Sequence, residues 1–322
     1  MRRCSLLALG IAVSVLSGCK PDDVVQPHTV AQTSGADLAD VSDPTPSTIA
    51  LEHLTSLAGP GPVAAEITTT VGALPDMVAF TPDGKTVLVA NEGEPNDAYT
   101  IDPEGSVSVI DIHNINAPLA RTASFVGYNG KEDDLRAAGI RIFGPNASAA
   151  QDFEPEYITT DASGRTAYVT LQENNAIAIV DVASVSVQQV VPLGYKDHSV
   201  VPLDVSDRDG PGNGPAINIR TWPVPLFGMY QPDGIASYTV GGRTYLVTAN
   251  EGDSRSWAGF TEDVRVSALP HPLNPNIFTN TACGGSCTSR PTDGHVHDGV
   301  ESGNESVRRP LCVRRPLVQH LG

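Results

Sequence analysis

From Ala64 onward the apolar positions follow the two-residue period of short strands. β-Branched and apolar residues alternate with polar ones in TVLVA (86–90), TAYVT (166–170) and TYLVT (244–248). Each run follows a glycine turn: PDGK (82–85), ASGR (162–165) and VGGR (240–243). A glycine turn between alternating runs predicts a β-hairpin, because glycine adopts the torsions that tight connections need. The first strand of each hairpin opens on a proline and an acid, at Pro75-Asp76, Pro155-Glu156 and Pro232-Asp233. The second closes at Asn91-Glu92, Glu173 and Asn250-Glu251. Two repeats run on into a further strand, SVSVIDI (106–112) and AIAIVDV (176–182). Helical periodicity is scarce, and Asp133 to Gly139 is expected to make one short helical turn. Hairpins at a long, roughly constant period predict an all-β fold, a β-propeller whose blades are four-stranded. A β-sandwich is the alternative, because the repeats are few.

The N-terminal region has a different pattern. Arg2 and Arg3 precede the apolar run Leu6 to Leu16, and Leu16-Ser17-Gly18-Cys19 has the form of a lipobox. A basic start, an apolar stretch and a small-residue cleavage site make a secretory signal. Residues 1–19 are therefore expected to be a lipoprotein signal peptide, with Cys19 the lipidated residue. The run is shorter than the roughly 20 residues that a membrane-spanning helix takes. Acyl chains on Cys19 hold the chain to a membrane, each buried methylene contributing about 0.8 kcal/mol. Lys20 rather than Asp follows the cysteine, so nothing specifies inner-membrane retention. The expected address is the cell envelope, at the outer membrane or cell surface, with a periplasm-facing position left open. Residues 20–60, rich in Asp, Pro, Ser, Thr and Ala, are expected to be a disordered tether, and residues 61–288 the body.

Charge narrows the partners. There are 37 acidic and 20 basic residues, a net charge of −17, which excludes nucleic acid as a partner and suits the gathering of divalent cations. Cys283 and Cys287 lie in a Gly/Ser-rich segment, where export permits a disulfide. Zinc is the other reading of that pair, although no histidine stands beside it at ligand spacing.

The acids gather at strand ends: Glu92, Glu94 and Asp97; Asp102 and Glu104; Glu154 and Glu156; Glu173; and Asp233, Glu251 and Asp253. Equivalent loops of successive propeller blades converge on one end of the central channel. Carboxylates brought together there repel unless a cation joins them, and oxygen ligands select Ca²⁺ or Mg²⁺. Ca²⁺ is the expected cofactor. In DVSDRDGPGNG (204–214), Asp204, Asp207 and Asp209 precede Gly210, as oxygen ligands precede the turn of a calcium loop, but the full twelve-residue form with its terminal Glu is missing. Solvated turn residues on an acidic surface are the plainer account of both groups. No phosphate loop, zincin motif or nucleophile elbow is present in the sequence.

Several long blocks also resemble the choice-of-anchor I family, in order along the chain. They are ALPDMVAFTPDGKTVLVANEGEPN (73–96), DPEGSVSVIDI (102–112), LRAAGIRIFGP (135–145), DFEPEYITTDASGRTAYVTLQENNAIAIVD (152–181), LGYKDHS (193–199) and YQPDGIASYTVGGRTYLVTANEGDSR (230–255). The resemblance implies an exported seven-bladed propeller, often labelled alkaline-phosphatase-like and similar to a mesenchyme-specific cell-surface glycoprotein. It implies either a metal-dependent phosphoesterase or a non-catalytic surface module that binds an envelope or matrix ligand. For the first activity, Arg136, Arg141 and Arg255 are candidates to clamp a phosphoester, since arginine suits bidentate contacts, and His198 is a candidate acid or base. Salt bridges and a structural histidine are the competing roles.

The sequence departs from the family twice. Blades that usually precede the ALPDM block are reduced to the spacer Leu51 to Thr70, which predicts an incomplete ring with open strand edges and a tendency to aggregate. After about Ser289, His, Arg and Pro accumulate and the β pattern fades. Read one base later, Ser289 to His295 permit Leu-Gly-Arg-Leu-Thr-Val-Thr, a string of the kind the family carries downstream. Residues 289–322 are therefore expected to be a frameshifted tail, which the DNA around codon 289 tests directly.

Overall fold

Strand pairing follows the repeats closely. The computed structural model describes residues 71–205, 209–262 and 276–278, with the backbone of the strands Cys4–Ser5, Ser14–Val15, Thr48–His53, Ala65–Thr70, Asp263–Arg265, His295–His297, Leu311–Val313 and Leu317–Leu321. The signal peptide and Cys19, most of the tether, Asp207, the pair Cys283 and Cys287, and most of residues 289–322 lie outside the described residues.

The first repeat is a four-stranded antiparallel sheet in chain order, Pro75–Phe80, Thr86–Asn91, Ser106–Asp111 and Leu119–Ser124. The second has the same plan, with Pro155–Thr160, Thr166–Leu171, Ala176–Asp181 and Ser186–Pro192. In the third, Pro232–Val240 pairs with Arg243–Asn250, whose other edge is taken by Leu317–Leu321. A separate hairpin joins Thr48–His53 to Ala65–Thr70, so pairing reaches into the stretch expected to be a tether.

The turns form where glycine frees the backbone. Gly84 and Gly164 sit at φ of 68° and 69° in four-residue turns, and Gly241 and Gly242 at 58° and 76° in a two-residue turn, all in the left-handed region that glycine enters freely. Asp161 tightens its turn by accepting from the Ser163 and Arg165 amides at 3.1 and 3.0 Å. Glu132–Ala137 forms the short helix expected near Asp133.

Burial on both faces makes these sheets blades. Val87 and Val89 pack with Val78, Ile110 and Ile112 on one side of the first sheet. Leu88, Ala90, Val107 and Val109 face the other way, joining Ile158, Ala167, Val169, Leu171 and Ala178 of the second sheet in one core. The fourth strand of the first sheet is largely exposed, as the rim of a blade should be. The first strands of the three sheets lie side by side. Ser237 Oγ donates to the Thr160 carbonyl at 2.5 Å, and Thr170 Oγ1 to the Asp233 carbonyl at 3.0 Å. An inner strand per sheet, gathered around a common axis, is the arrangement of an all-β propeller, not that of two facing sheets.

Gly105 marks a close approach between the first two blades. Its amide donates to the Ala150 carbonyl at 2.9 Å. A Cβ on it would collide with the Phe153 carbonyl and come within 2.6 Å of Pro155 Cδ. Gly105→Ala is expected to cost about 1–3 kcal/mol or more, since backbone cannot yield as a side chain can. Urea unfolding checks this, and a midpoint equal to that of the parent chain would contradict the contact.

Candidate functional site

The Pro-acid dipeptide of each repeat coincides with a break in strand register. Pairing slips between Pro75 and Met77, between Pro155 and Ile158, and between Pro232 and Ile235. A β-bulge adds residues to one strand and re-aims a side chain. Here it falls on Asp76, on Glu156-Tyr157 and on Asp233-Gly234. Three equivalent bulges at the same end of adjacent inner strands bring three acids to one mouth of the channel.

Residues that follow the second strands complete the cluster. The Glu92 amide donates to the Leu74 carbonyl at 2.8 Å, and the Gly252 amide to Gln231 at 3.1 Å, turning both chains back over the mouth. Burial, then Glu94, Glu173, Asp76 and Glu154, push the Glu92 carboxyl well above its ordinary range. Burial, Glu173, Glu92, Asp233 and Asp76 push Glu156 up to about 12. Glu94 rises to about 7 by burial and the charges of Glu173 and Asp76. Glu173 also rises to about 7 by burial, with Arg255 pulling the other way. Asp76 touches solvent yet is crowded by protein atoms, as a channel-lining group would be, and that crowding with Asp233 lifts it to about 6. Asp233 is raised by burial and by Glu251.

A second group of acids is neutralised internally. Arg255 is 2% exposed and lies 3.2 Å from Glu154, 3.3 Å from Glu262 and 3.7 Å from Asp152. Its Nη2 also donates to the Asp152 carbonyl at 2.8 Å. Burial alone would lower the guanidinium pKa, but Asp152, Glu154, Glu262 and Glu173 hold it above its ordinary range. Arg141 bridges to Glu262 at 3.2 Å, donates to the Glu173 carbonyl at 2.6 Å and stacks over Phe143 at 4.9 Å. Asp152 ends a short helix begun by a Ser148–Gln151 capping box and accepts from the Phe143 amide at 2.9 Å. Asp102 lies beside this group, lifted to about 6 by burial.

Segment 251–262 holds Arg255 in place by reaching from the third blade to the first. The Gly259 amide donates to the Asp97 carbonyl at 2.7 Å, and Phe260 packs edge-on against Tyr99 at 5.4 Å. A side chain at Gly259 would strike the Ala98 carbonyl.

All the donors at the mouth are oxygens, which fits a hard cation and not zinc. Among the described residues, no three His, Cys, Asp or Glu side chains stand close enough to form a ready-made metal cage. A bound cation would have to draw the long glutamates inward.

The choice-of-anchor I domain model matches residues 28–298. This chain belongs to the choice-of-anchor I family. It is accordingly a β-propeller protein of a surface-anchored or exported kind. Among curated proteins, no relative matches this choice-of-anchor I chain. Among solved structures it is similar to Kuenenia stuttgartiensis hydrazine synthase at 14% identity and a TM-score of 0.27, over 43% of this chain and 37% of that one. Dihydro-heme d1 dehydrogenase NirN in complex with DHE gives 13% identity and a TM-score of 0.27, over 64% of this chain and 47% of that one. The Myceliophteria thermophila Cps50 (Swd1) β-propeller domain gives 10% and 0.21, over 67% of this chain and 81% of that one. The choice-of-anchor I chain thus spans less than half the length of the first two, and none of these likenesses bears on function.

The remaining candidates of this choice-of-anchor I protein lie apart from the mouth or at its edge. Glu104 and Glu251 are exposed, and Asp253 is half-buried, accepting from the Ser254 amide at 2.7 Å. Asp209 accepts from Ala216 and Asn218, each at 3.1 Å, and Asp204 from the Asn218 amide at 3.1 Å, so both brace their own loop. Arg136 pairs with exposed Asp133 at 2.8 Å and donates to the Ile142 carbonyl. His198 is 4% exposed, with Nδ1 2.9 Å from the Val201 carbonyl and its backbone bonded to Leu226 and Trp222. Sequence reading leaves out Asp76, Asp152 and Glu262. The Pro-acid signature marks Asp76, whereas nothing local marks the other two, which meet Arg255 only in three dimensions.

Proposed function

We propose that this protein is a lipid-tethered propeller of the cell envelope that binds an envelope or matrix ligand at its acidic mouth, with Ca²⁺ held among the carboxylates. The convergence of Asp76, Glu156 and Asp233 on equivalent bulges carries the reading, because it repeats by design of the fold. Ca²⁺ would balance the acid excess and leave coordination positions for an anionic or hydroxyl-bearing ligand. The expected Ca²⁺ Kd is on the order of 0.1–1 mM, as in other extracellular modules. Calorimetry on the full chain in detergent tests this, alongside retention on isolated envelopes in Ca²⁺ and in chelator. No Ca²⁺ binding at several times that concentration would overturn it. Cys19→Ala should move the chain from the membrane to the soluble fraction, with loss of the acyl mass.

The phosphoesterase reading has less support. Arg141 and Arg255 are committed to buried carboxylates, and Arg136 lies on a peripheral helix. A chromogenic phosphomonoester should therefore show no turnover with Ca²⁺, Mg²⁺ or chelator.

A further inference from the structure

We infer that the insertion between the second and third blades, residues 193–231, carries a membrane-docking loop: Val200, Val201, Ile217 and Ile219 enter a lipid surface while Lys196 and Arg220 meet its phosphates. The contact is separate from the acidic mouth and adds to the lipid tether proposed above.

Exposure is the first sign. Val200, Ile217 and Ile219 are 72%, 91% and 64% exposed, and Val201 also stands in solvent. They lie on the two arms of one loop, joined where Leu203 and Arg220 exchange backbone hydrogen bonds at 2.9 and 3.3 Å. Single exposed aliphatic residues are ordinary, but four on one loop mark an interaction surface.

The loop is built to hold them out. Leu203, Trp222, Val224 and Leu226 form a small core with Phe278, and Trp222 Nε1 donates to the Leu203 carbonyl at 2.9 Å. Asp204 and Asp209 accept from Asn218 and Ala216, which ties their charge into the loop itself. The four aliphatic side chains therefore stay in solvent although an apolar core lies a few residues away along each arm.

Charge selects lipid as the partner. The chain carries a net charge of −17, so it approaches a phosphate-bearing surface only where cations lead. Among the described residues, neither Lys196 nor Arg220 forms an ion pair. Arg220 lies over the Trp222 ring at 3.6 Å and Lys196 over the Tyr230 ring at 5.7 Å, which fixes each cation without neutralising it. Aliphatic tips backed by cations on aromatic rings match the layering of a membrane interface, where acyl chains lie beneath phosphates.

The test is flotation of the full-length Cys19→Ala chain, which has no acyl anchor, with protein-free vesicles of phosphatidylethanolamine and phosphatidylglycerol in lipid excess. The loop alone should bind weakly, below the roughly 10⁴ M⁻¹ of a single acyl chain, so washed membranes still lose this variant. Ile217→Ser with Ile219→Ser should cut vesicle binding about tenfold or more. It should leave the melting temperature unchanged, because both side chains are exposed. Leu119→Ser, on the exposed rim of the first blade, should bind as the parent does. Phosphatidylcholine in place of phosphatidylglycerol should weaken binding, and equal binding overturns the role given to Lys196 and Arg220. Vesicle binding that survives the double isoleucine change, or that the Cys19→Ala chain never shows, overturns the docking loop. The tether reading stands or falls separately, on the acyl mass at Cys19. Binding to isolated envelopes that protease treatment removes, with none to protein-free vesicles, assigns the loop to a protein partner and also overturns the inference.

Discussion

Arg255→Met is expected to destabilise the chain by about 3–5 kcal/mol, the largest effect of any single substitution described above. Arg255 has its guanidinium buried among Asp152, Glu154 and Glu262, and it also donates to the Asp152 carbonyl. Methionine fills similar volume, so the loss is chiefly electrostatic: three buried carboxylates are left facing one another. Such a pair broken from one side costs far more than the intact pair contributes, because the remaining charges have no water to turn to. The effect should also loosen segment 251–262, which Arg255 pins to the start of the second blade. Arg255→Lys keeps the charge but not the planar fork, and should recover only part of the loss. Arg136→Met is the control. Its ion-pair partner Asp133 is almost fully exposed, so that pair accounts for under about 1 kcal/mol, and even with the bond to the Ile142 carbonyl the change should stay well below that of Arg255→Met. Urea unfolding at fixed pH in EDTA measures all three. A chain in which Arg255→Met and Arg136→Met unfold together would place Arg255 outside a buried network.

The blades were legible because each local signal agreed with the tertiary arrangement. Glycine turns at 82–85, 162–165 and 240–243 fixed the hairpins, and the alternation in TVLVA and TAYVT placed the strands within a residue or so. The middle strands were harder to assign to a face, since both of their faces are buried and the polar half of the alternation fades at Leu88 and Ala90. Within the site, the repeated Pro-acid dipeptide marked the mouth, but its bulges did not follow from sequence: they depend on how the inner strands are forced past one another. The division of acids was also hidden. Glu154 and Glu156 stand two residues apart, yet one faces Arg255 and the other faces the channel acids. The arginine that separates them is about one hundred residues away in the chain, brought back by segment 251–262. Sequence periodicity carries no information on such a contact, because charge partners across blades are set by loop paths rather than by spacing.

In chelator, the chain should be most stable near pH 4 and lose stability steadily as pH climbs to about 7. Glu94 and Glu173 rise from 4.5 to about 7 on folding, and Asp76 and Asp102 from 3.8 to about 6, all of them chiefly by burial. A carboxyl with a raised folded pKa binds its proton more tightly in the native state than in the unfolded chain. Its favourable contribution is complete below the unfolded pKa and disappears as pH climbs through the folded one. The window here runs from about 4 to about 7. For Glu173 alone the change is on the order of 3 kcal/mol, and the set does not add simply, because the same like-charge repulsion is felt by each member. Opposing groups act elsewhere. Asp83 and Asp111 are lowered by hydrogen bonds, but both are solvent-exposed, and their window lies at more acid pH. Ca²⁺ changes the profile in a defined way. A cation bound among the carboxylates of the mouth would stabilise their ionised forms, compete with protons, and add stability that grows with pH. Melting temperature against pH should therefore slope downward in EDTA and flatten or turn upward in millimolar Ca²⁺. A flat profile in EDTA would mean that these carboxyls are not buried together. A downward slope that Ca²⁺ leaves untouched would mean that they are, and that protons alone hold the mouth of the channel.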